Sequence, residues 1–199
     1  MHTVKKKLVV IGNGMVGHQF CEDLIRKEGN RHYQIQVFGT EPTPAYDRIE
    51  LHDILTGKPI EQLLLRNRDW YEENAIELNS NRTVNGIQRS EKNITLNTGD
   101  VVAYDQLVLA TGARAHLPPI EGTDLPGVYV YRSAKDADTI REACQSVHQA
   151  TILGGGVLGL EIAMTLQNLG LTVSIIESLP QLMSQQLDAT SAHVLLKKF

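Results

Sequence analysis

Two stretches of this chain, Gly12-Asn13-Gly14-Met15-Val16-Gly17 and Gly154-Gly155-Gly156-Val157-Leu158-Gly159, share the spacing G-x-G-x-x-G. Each follows a short apolar run and opens a segment of helical periodicity. One such motif is weak evidence, because glycines also mark ordinary turns. Two of them, each between a strand and a helix and each with an acidic residue downstream, point to an α/β fold with two dinucleotide-binding units. The reason is local. The first glycine permits a tight turn, the second lets the backbone approach a pyrophosphate, and the third lets the helix pack close to its strand. The helix N-terminus then presents unpaired N–H groups and roughly half a positive charge to the phosphates.

The flanking sequence reads accordingly. Leu8 to Ile11 is a continuous apolar strand, and the helix after it places Val16, Phe20, Leu24 and Ile25 on one stripe. Gly29-Asn30 ends that helix, and Tyr33 to Phe38 is the second strand. Pro42 and Pro44 interrupt regular structure, and Gln62 to Asn74 looks helical with Leu64, Leu65 and Trp70 as core candidates. Short strands follow at Ile76–Leu78, Thr83–Ile87 and Ile94–Leu96, and an apolar strand runs from Gln106 to Ala110. Leu117-Pro118-Pro119-Ile120 is a connector, since two prolines block helix and central strand alike. Ser133 with Asp136 has the spacing of a capping box. The second unit then repeats the first: strand Ala150–Leu153, helix Val157–Leu169 ended by Gly170, strand Thr172–Ile176. The expected architecture is two Rossmann-like doubly wound dinucleotide-binding domains, 1–118 and 119–199, the second incomplete. Ser191 to Phe199 resembles a helix that simply stops, so the chain is expected to be a piece of a longer protein.

Composition narrows the partners. A net charge of -4 argues against a nucleic-acid or anionic-membrane surface, and Lys5-Lys6-Lys7 is a solvated lead-in to the first strand. No stretch approaches the ~20 apolar residues of a membrane span. No signal peptide is readable, so the cytoplasm is the expected compartment. Cys21 and Cys144 are the only cysteines and lie far apart, which leaves no C-x-x-C pair for redox work. Both read as buried small hydrophobes. The histidines show no metal-ligand spacing with them, so no metal site is expected.

The carboxylates refine the ligands. Glu41 is the candidate ribose acceptor of the first unit, some two dozen residues past Gly17 and a little beyond the ~20 that the fingerprint prefers. Glu177 closes the last strand of the second unit, where a carboxylate hydrogen-bonds a free 2′-hydroxyl and repels a 2′-phosphate. With no Arg or Lys between Glu177 and Lys197, NADH is preferred over NADPH. Glu161, on the first turn of the second helix, suits either a solvated residue complementing the helix dipole or a group near the nicotinamide.

With both motifs placed, a resemblance can be stated. Ile11-Gly-Asn-Gly-Met-Val-Gly-His18, Ala45-Tyr-Asp-Arg48, Leu109-Ala-Thr-Gly-Ala113 and Gln186-Leu-Asp188 resemble the N-terminal part of the large subunit of assimilatory-type NAD(P)H nitrite reductases. More broadly the chain is similar to the two-dinucleotide flavoproteins that include rubredoxin, ferredoxin and disulfide reductases. The resemblance implies that Gly12, Asn13, Gly14, Met15 and Val16 bind the FAD pyrophosphate, with Glu41 on its ribose and Arg48 on its phosphates. It implies Val84 beside the adenine and Ala110, Thr111 and Gly112 beside the flavin. Gly154, Gly156, Leu158, Gly159 and Glu177 would bind NADH, with Glu161 as the catalytic-site residue near the nicotinamide and flavin. Electrons would pass to iron–sulfur and sirohaem centres in the remainder of the protein, or to a small subunit, and reduce nitrite to ammonium; oligomers would be compatible.

The departures also matter. Electron-transferring relatives often carry Tyr-Asp-Arg-Pro-Pro-Leu-Ser-Lys, whose lysine pairs with the glutamate matching Glu161. Here the run is Tyr46-Asp-Arg-Ile-Glu-Leu-His-Asp53, so Asp53 stands in the lysine's place and no Lys–Glu pair is expected. Thr40 stands where relatives often have a carboxylate. His52 reads as a surface or loop residue, because hydride transfer to a flavin needs no proton relay there. Competing readings are a stand-alone rubredoxin or ferredoxin reductase, the flavoprotein component of a nitrate reductase, and a nucleotide-binding module without turnover of its own.

Overall fold

In the computed structural model, residues 4–197 are described, and they divide into two compact units. Of the described residues, the first comprises 4–48 and 60–114, the second 49–59 and 115–197.

The first unit is organised by β1 (Lys6–Ile11), which pairs in parallel with β2 (Tyr33–Phe38) on one side and β7 (Gln106–Leu109) on the other. β3 (Ile76–Asn79) adds to β2, giving the order β3-β2-β1-β7. Leu8, Val9, Val10 and Ile11 are all buried, as the unbroken apolar run requires of a strand covered on both faces. On one face α1 (Met15–Arg26) and α3 (Arg68–Glu73) build a core of Leu8, Val10, Cys21, Ile35, Val37, Tyr71 and Ile76. On the other lies an antiparallel meander of β4 (Val84–Gln88), β5 (Asn93–Leu96) and β6 (Val101–Ala103), which packs Ile94 and Leu96 against Val9, Ile11 and Phe38. Each such aliphatic side chain stabilises the fold by roughly 1.5–3 kcal/mol.

The second unit takes its first piece from early in the sequence, a 3₁₀ turn at Ile49–Leu51 running into the single-turn helix α2 (His52–Leu55). α4 (Ala134–Cys144) follows, then β8 (Gln149–Leu153), α5 (Val157–Asn168), β9 (Thr172–Ile176) and α6 (Ala189–Leu196). β8 and β9 pair in parallel in register Gln149↔Thr172 through Leu153↔Ile176. Their alternate residues Thr151, Leu153, Ser174 and Ile176 are exposed. Ser133 caps α4 through the expected box, its hydroxyl accepting from the Asp136 N–H while the Asp136 carboxylate accepts from the Ser133 N–H. Asp188 caps α6 by accepting from the Ser191 N–H, a structural role for the Gln186-Leu-Asp188 string. The helix expected from Ser191 thus begins two residues earlier, and its last expected residues, 198 and 199, lie outside those described.

Several expectations shift. Helix α3 starts only at Arg68, because Asn67 caps it by accepting from the Trp70 N–H, and Leu63 rather than Leu64 or Leu65 is the buried residue before it. Val16 is 73% exposed, so the inward face of α1 runs through Gly17, His18 and Cys21 instead. β6 and α2 had no readable signal. No helix among the described residues is long and apolar enough to cross a membrane.

Candidate functional site

The two glycine loops adopt the same geometry. Gly12 has φ +112° and Gly154 φ +111°, a backbone region that side-chain-bearing residues rarely enter. The Gly12 N–H donates to the Phe38 carbonyl and the Gly154 N–H to the Ile176 carbonyl, both at 2.8 Å, which ties each loop to the end of the neighbouring strand. A Cβ on Gly17 would stand 2.0 Å from the Gly12 oxygen, and one on Gly159 would stand 2.1 Å from the Gly154 oxygen. These third glycines admit no side chain.

The second glycines are the opposite case. Among the described residues nothing lies within 4 Å of where a Cβ would sit on Gly14 or Gly156. Each is the N-cap of a 12-residue helix, α1 or α5, and neither end carries a side-chain cap. The first N–H groups of both helices therefore lack intrahelical acceptors beside an open space. A pyrophosphate fits this arrangement in charge and in room. Both loops lie at the carboxyl ends of their strands, where open α/β sheets bind ligands. A hollow of about 280 Å³ lined by Val4, Lys6 and Tyr33 lies at the opposite end of β1, away from that chemistry.

The carboxylates differ between the units. Glu177 accepts from the Gly155 N–H through Oε2 and from the Leu179 N–H through Oε1, each at 2.8 Å. These bonds, with that from Leu179 foremost, hold its pKa below the ordinary carboxylate value. Its side chain is thus fixed as an anion beside the second glycine loop. Glu41 is instead ion-paired to Arg48 and accepts a 2.8 Å hydrogen bond from the Tyr46 hydroxyl. The Arg48 guanidinium also stands 4.8 Å over the Tyr46 ring. The structure therefore brings Glu41 and Arg48 together in one half-buried cluster.

The remaining sequence candidates fall as follows. Met15 and exposed Val16 occupy the first turn of α1, matched on α5 by Val157 and Leu158, both about half exposed. Val84 is half-buried at the start of β4. Ala110 backs the first loop, its carbonyl standing 2.0 Å from where a Cβ on Gly12 would be. Thr111 and Gly112 are exposed just beyond it.

Glu161 acquires a partner that the sequence did not suggest. His52 Nδ1 lies 2.9 Å from Glu161 Oε1, and His52 Nε2 lies 3.4 Å from Asp53 Oδ1. Lys58 Nζ donates to Asp53 Oδ2 at 2.7 Å, a bond that lowers the Asp53 pKa. The result is a half-exposed line Lys58–Asp53–His52–Glu161 within the second unit. His52 is thus no plain loop residue. Among the described residues Glu50, His52 and Asp53 also bring ligand-type atoms within 4.8 Å of one another, but Lys58 and Glu161 already engage two of them. Burial pushes the Cys21 thiol up to about 12 and raises that of Cys144, so neither presents a thiolate.

A second missed group lies beside the first loop. His18, 3% exposed, shares a 2.8 Å hydrogen bond between Nδ1 and the Tyr71 hydroxyl, which in turn donates to Asn13 Oδ1 at 3.1 Å. His18 follows the third glycine directly and closes the Ile11–His18 string that carries the resemblance, but nothing in the sequence pointed to Tyr71 as its partner.

The family model for pyridine nucleotide-disulphide oxidoreductases matches residues 6–199. The chain belongs to that family. It is 42% identical over 192 residues to a nitrite reductase [NAD(P)H] of Bacillus subtilis, covering 96% of this chain and 24% of that protein. It is 37% identical over 193 residues to the assimilatory nitrate reductase electron transfer subunit of the same organism, covering 96% of this chain and 25% of that protein. Among solved structures it is similar to NADH:rubredoxin oxidoreductase from Clostridium acetobutylicum, with TM-score 0.88 and 27% identity over 98% of this chain and 50% of that one. The chain spans about a quarter of the length of those two curated relatives. The repeated loop geometry is in keeping with that membership.

Proposed function

We propose that this chain is the electron-entry part of an NADH-dependent nitrite reductase large subunit, with FAD in the first unit and NADH in the second. The observation that carries this reading is the duplicated cradle, two bare helix N-termini beside glycines whose missing side chains leave open space. A nicotinamide and a flavin supply hydride transfer and its division into single electrons. The chain's own residues bind and orient them.

The N-terminal N–H groups of α1 and α5 hold the two pyrophosphates. Glu177, already anionic, accepts from the adenosine ribose and disfavours a 2′-phosphate, so NADH is preferred to NADPH. Glu41 serves the FAD ribose and Arg48 the FAD phosphates, each keeping the other's charge balanced until the ligand arrives. Val84 contacts the adenine, and Ala110, Thr111 and Gly112 line the path of the flavin. Glu161, oriented by His52, stands at the nicotinamide side. Downstream redox centres or a small subunit receive the electrons in the cytoplasm. Nitrite reductase is favoured over a nitrate reductase electron transfer subunit by the higher identity, 42% against 37% over a similar length.

Ligand titrations of two variants test the assignment. Gly14→Ala should weaken FAD binding at least tenfold and leave NADH binding unchanged, and Gly156→Ala should do the reverse. Loss of the same ligand in both variants, or of neither, would contradict it. In the full-length protein, NADH-dependent consumption of nitrite rather than nitrate decides between the two terminal acceptors.

A further inference from the structure

Polar groups beside the first glycine loop run in a line from the surface to the loop, hydrogen-bonded at every step but the one between Glu22 and His18. Arg66 Nε donates to Glu22 Oε1 at 2.8 Å, and that oxygen stands 3.5 Å from His18 Nε2. His18 Nδ1 meets the Tyr71 hydroxyl at 2.8 Å, and the hydroxyl donates to Asn13 Oδ1 at 3.1 Å. Trp70 closes the edge of the imidazole with ring centroids 5.1 Å apart. Tyr71 is fully buried, and among the described residues His18 Nε2 has no hydrogen-bond partner. Burying an imidazole and a phenol without a role costs stability, because polar groups leave water only at a loss unless well paired.

The line has a direction. A hydroxyl has one hydrogen. Because Tyr71 gives it to Asn13 Oδ1, the His18 Nδ1 must donate to Tyr71. Asn13 is thereby held by its oxygen, and its two amide N–H groups, which have no partner among the described residues, are the end left for a ligand. Asn13 is the residue between the first two glycines of the cradle, and its Cβ packs where a Cβ on Gly39 would come within 2.9 Å, so it is confined from a second side. Reversing the line would turn the amide oxygen outward and place a lone pair against an anion.

We propose that His18 and Tyr71 are positioning residues that hold Asn13 with its amide N–H groups turned toward the FAD pyrophosphate. This rests on the reading that the first loop holds FAD. The line selects a dianionic ligand over a neutral one by fixing donor polarity before the ligand arrives, which saves the ordering of a side chain on binding.

A double-mutant cycle on FAD affinity tests it, with thermal melts of the FAD-free proteins alongside. Tyr71→Phe and Asn13→Ala should each raise the FAD dissociation constant about tenfold, the scale of one lost charge-assisted hydrogen bond. The double variant should bind no more weakly than Asn13→Ala alone, because Tyr71 acts through Asn13. His18→Asn, whose amide nitrogen reaches the place of Nδ1, should keep affinity within about threefold, whereas His18→Leu should lose it as Tyr71→Phe does. The histidine pair also serves if Tyr71→Phe does not fold. Nitrogen NMR of the imidazole should show the proton on Nδ1. Multiplicative losses in the double variant, equal losses in both His18 variants, or a proton on Nε2 alone would overturn the proposal. Failure of the unsubstituted protein to bind FAD would instead overturn the reading of the loop, and this inference with it.

Discussion

The two glycine loops share φ to within a degree at Gly12 and Gly154, yet within this chain they have different surroundings. Behind Gly12 lies the end of β7, with the Ala110 carbonyl in the space a side chain would take. Behind Gly154 no described residue of this chain lies within 4 Å of where a Cβ would stand. In the first loop the second position is Asn13, gripped by Tyr71, and the nearby carboxylate Glu41 is tied to Arg48. In the second loop that position is Gly155, whose N–H is bound directly by Glu177. Loop shape is thus a property of the six-residue motif and the helix that follows. The groups around it differ: Asn13, Glu41 and Arg48 beside the first loop, Glu177 beside the second.

The largest expected contrast is between two identical substitutions. Gly12→Ala combines backbone strain with a 2.0 Å clash against Ala110, and it should unfold the first unit or cost more than about 3 kcal/mol. Gly154→Ala meets the strain without a clash against any described residue of this chain, and in this chain should cost about 1–3 kcal/mol. Denaturant unfolding of both variants gives the comparison directly, and equal losses would show that the surroundings do not matter. Next is Glu177→Gln, which should weaken NADH about tenfold while NADPH weakens less, so that the preference between them narrows. Binding titrations with both nucleotides measure it. The Glu177 pKa is depressed, so the anion and its bonds to Gly155 and Leu179 persist as pH falls to the ordinary carboxylate value of 4.5 and are lost below it.

A third contrast concerns His52. His52→Leu should leave NADH affinity within about threefold and slow flavin reduction by up to about tenfold, because it releases Glu161 without touching the cradle. Stopped-flow reduction separates the two effects. The smallest effect is a slope with pH. Burial holds the His18 pKa below 6.5, so the unfolded chain binds the proton more readily than the folded one. Stability of the first unit should be full above pH 6.5 and decline as pH falls toward the folded pKa, and His18→Leu should flatten that slope. Chemical melts between pH 5 and 7.5 would show it.

Much of this was legible in the residues. The apolar runs Leu8–Ile11 and Gln106–Ala110, the glycine spacings, and the Ser133–Asp136 box gave the parallel strands, cradles and cap, because each is set by contacts within a few positions. Glu177 was legible for the same reason, since it closes the strand next to the glycine loop. The inward face of α1 was not. A helix stripe assigned by apolarity chose Val16, while the fold turned Gly17 and His18 inward, because the imidazole finds a partner in Tyr71 from 53 positions away. His52 was missed because its partner Glu161 lies more than a hundred positions downstream. The three-stranded meander also exceeded what short Asn- and Gly-punctuated strands disclose, since Val101–Ala103 gains its identity only from pairing with β5.

Two cradles that hold a flavin and a nicotinamide in one electron path should pass electrons from one to the other. The most direct measurement is to load the purified protein with FAD and add NADH without air while following the visible flavin absorbance. Bleaching with one NADH consumed per flavin, abolished in Gly156→Ala, is the predicted result. A protein that binds FAD and NADH but keeps its flavin oxidised would contradict it.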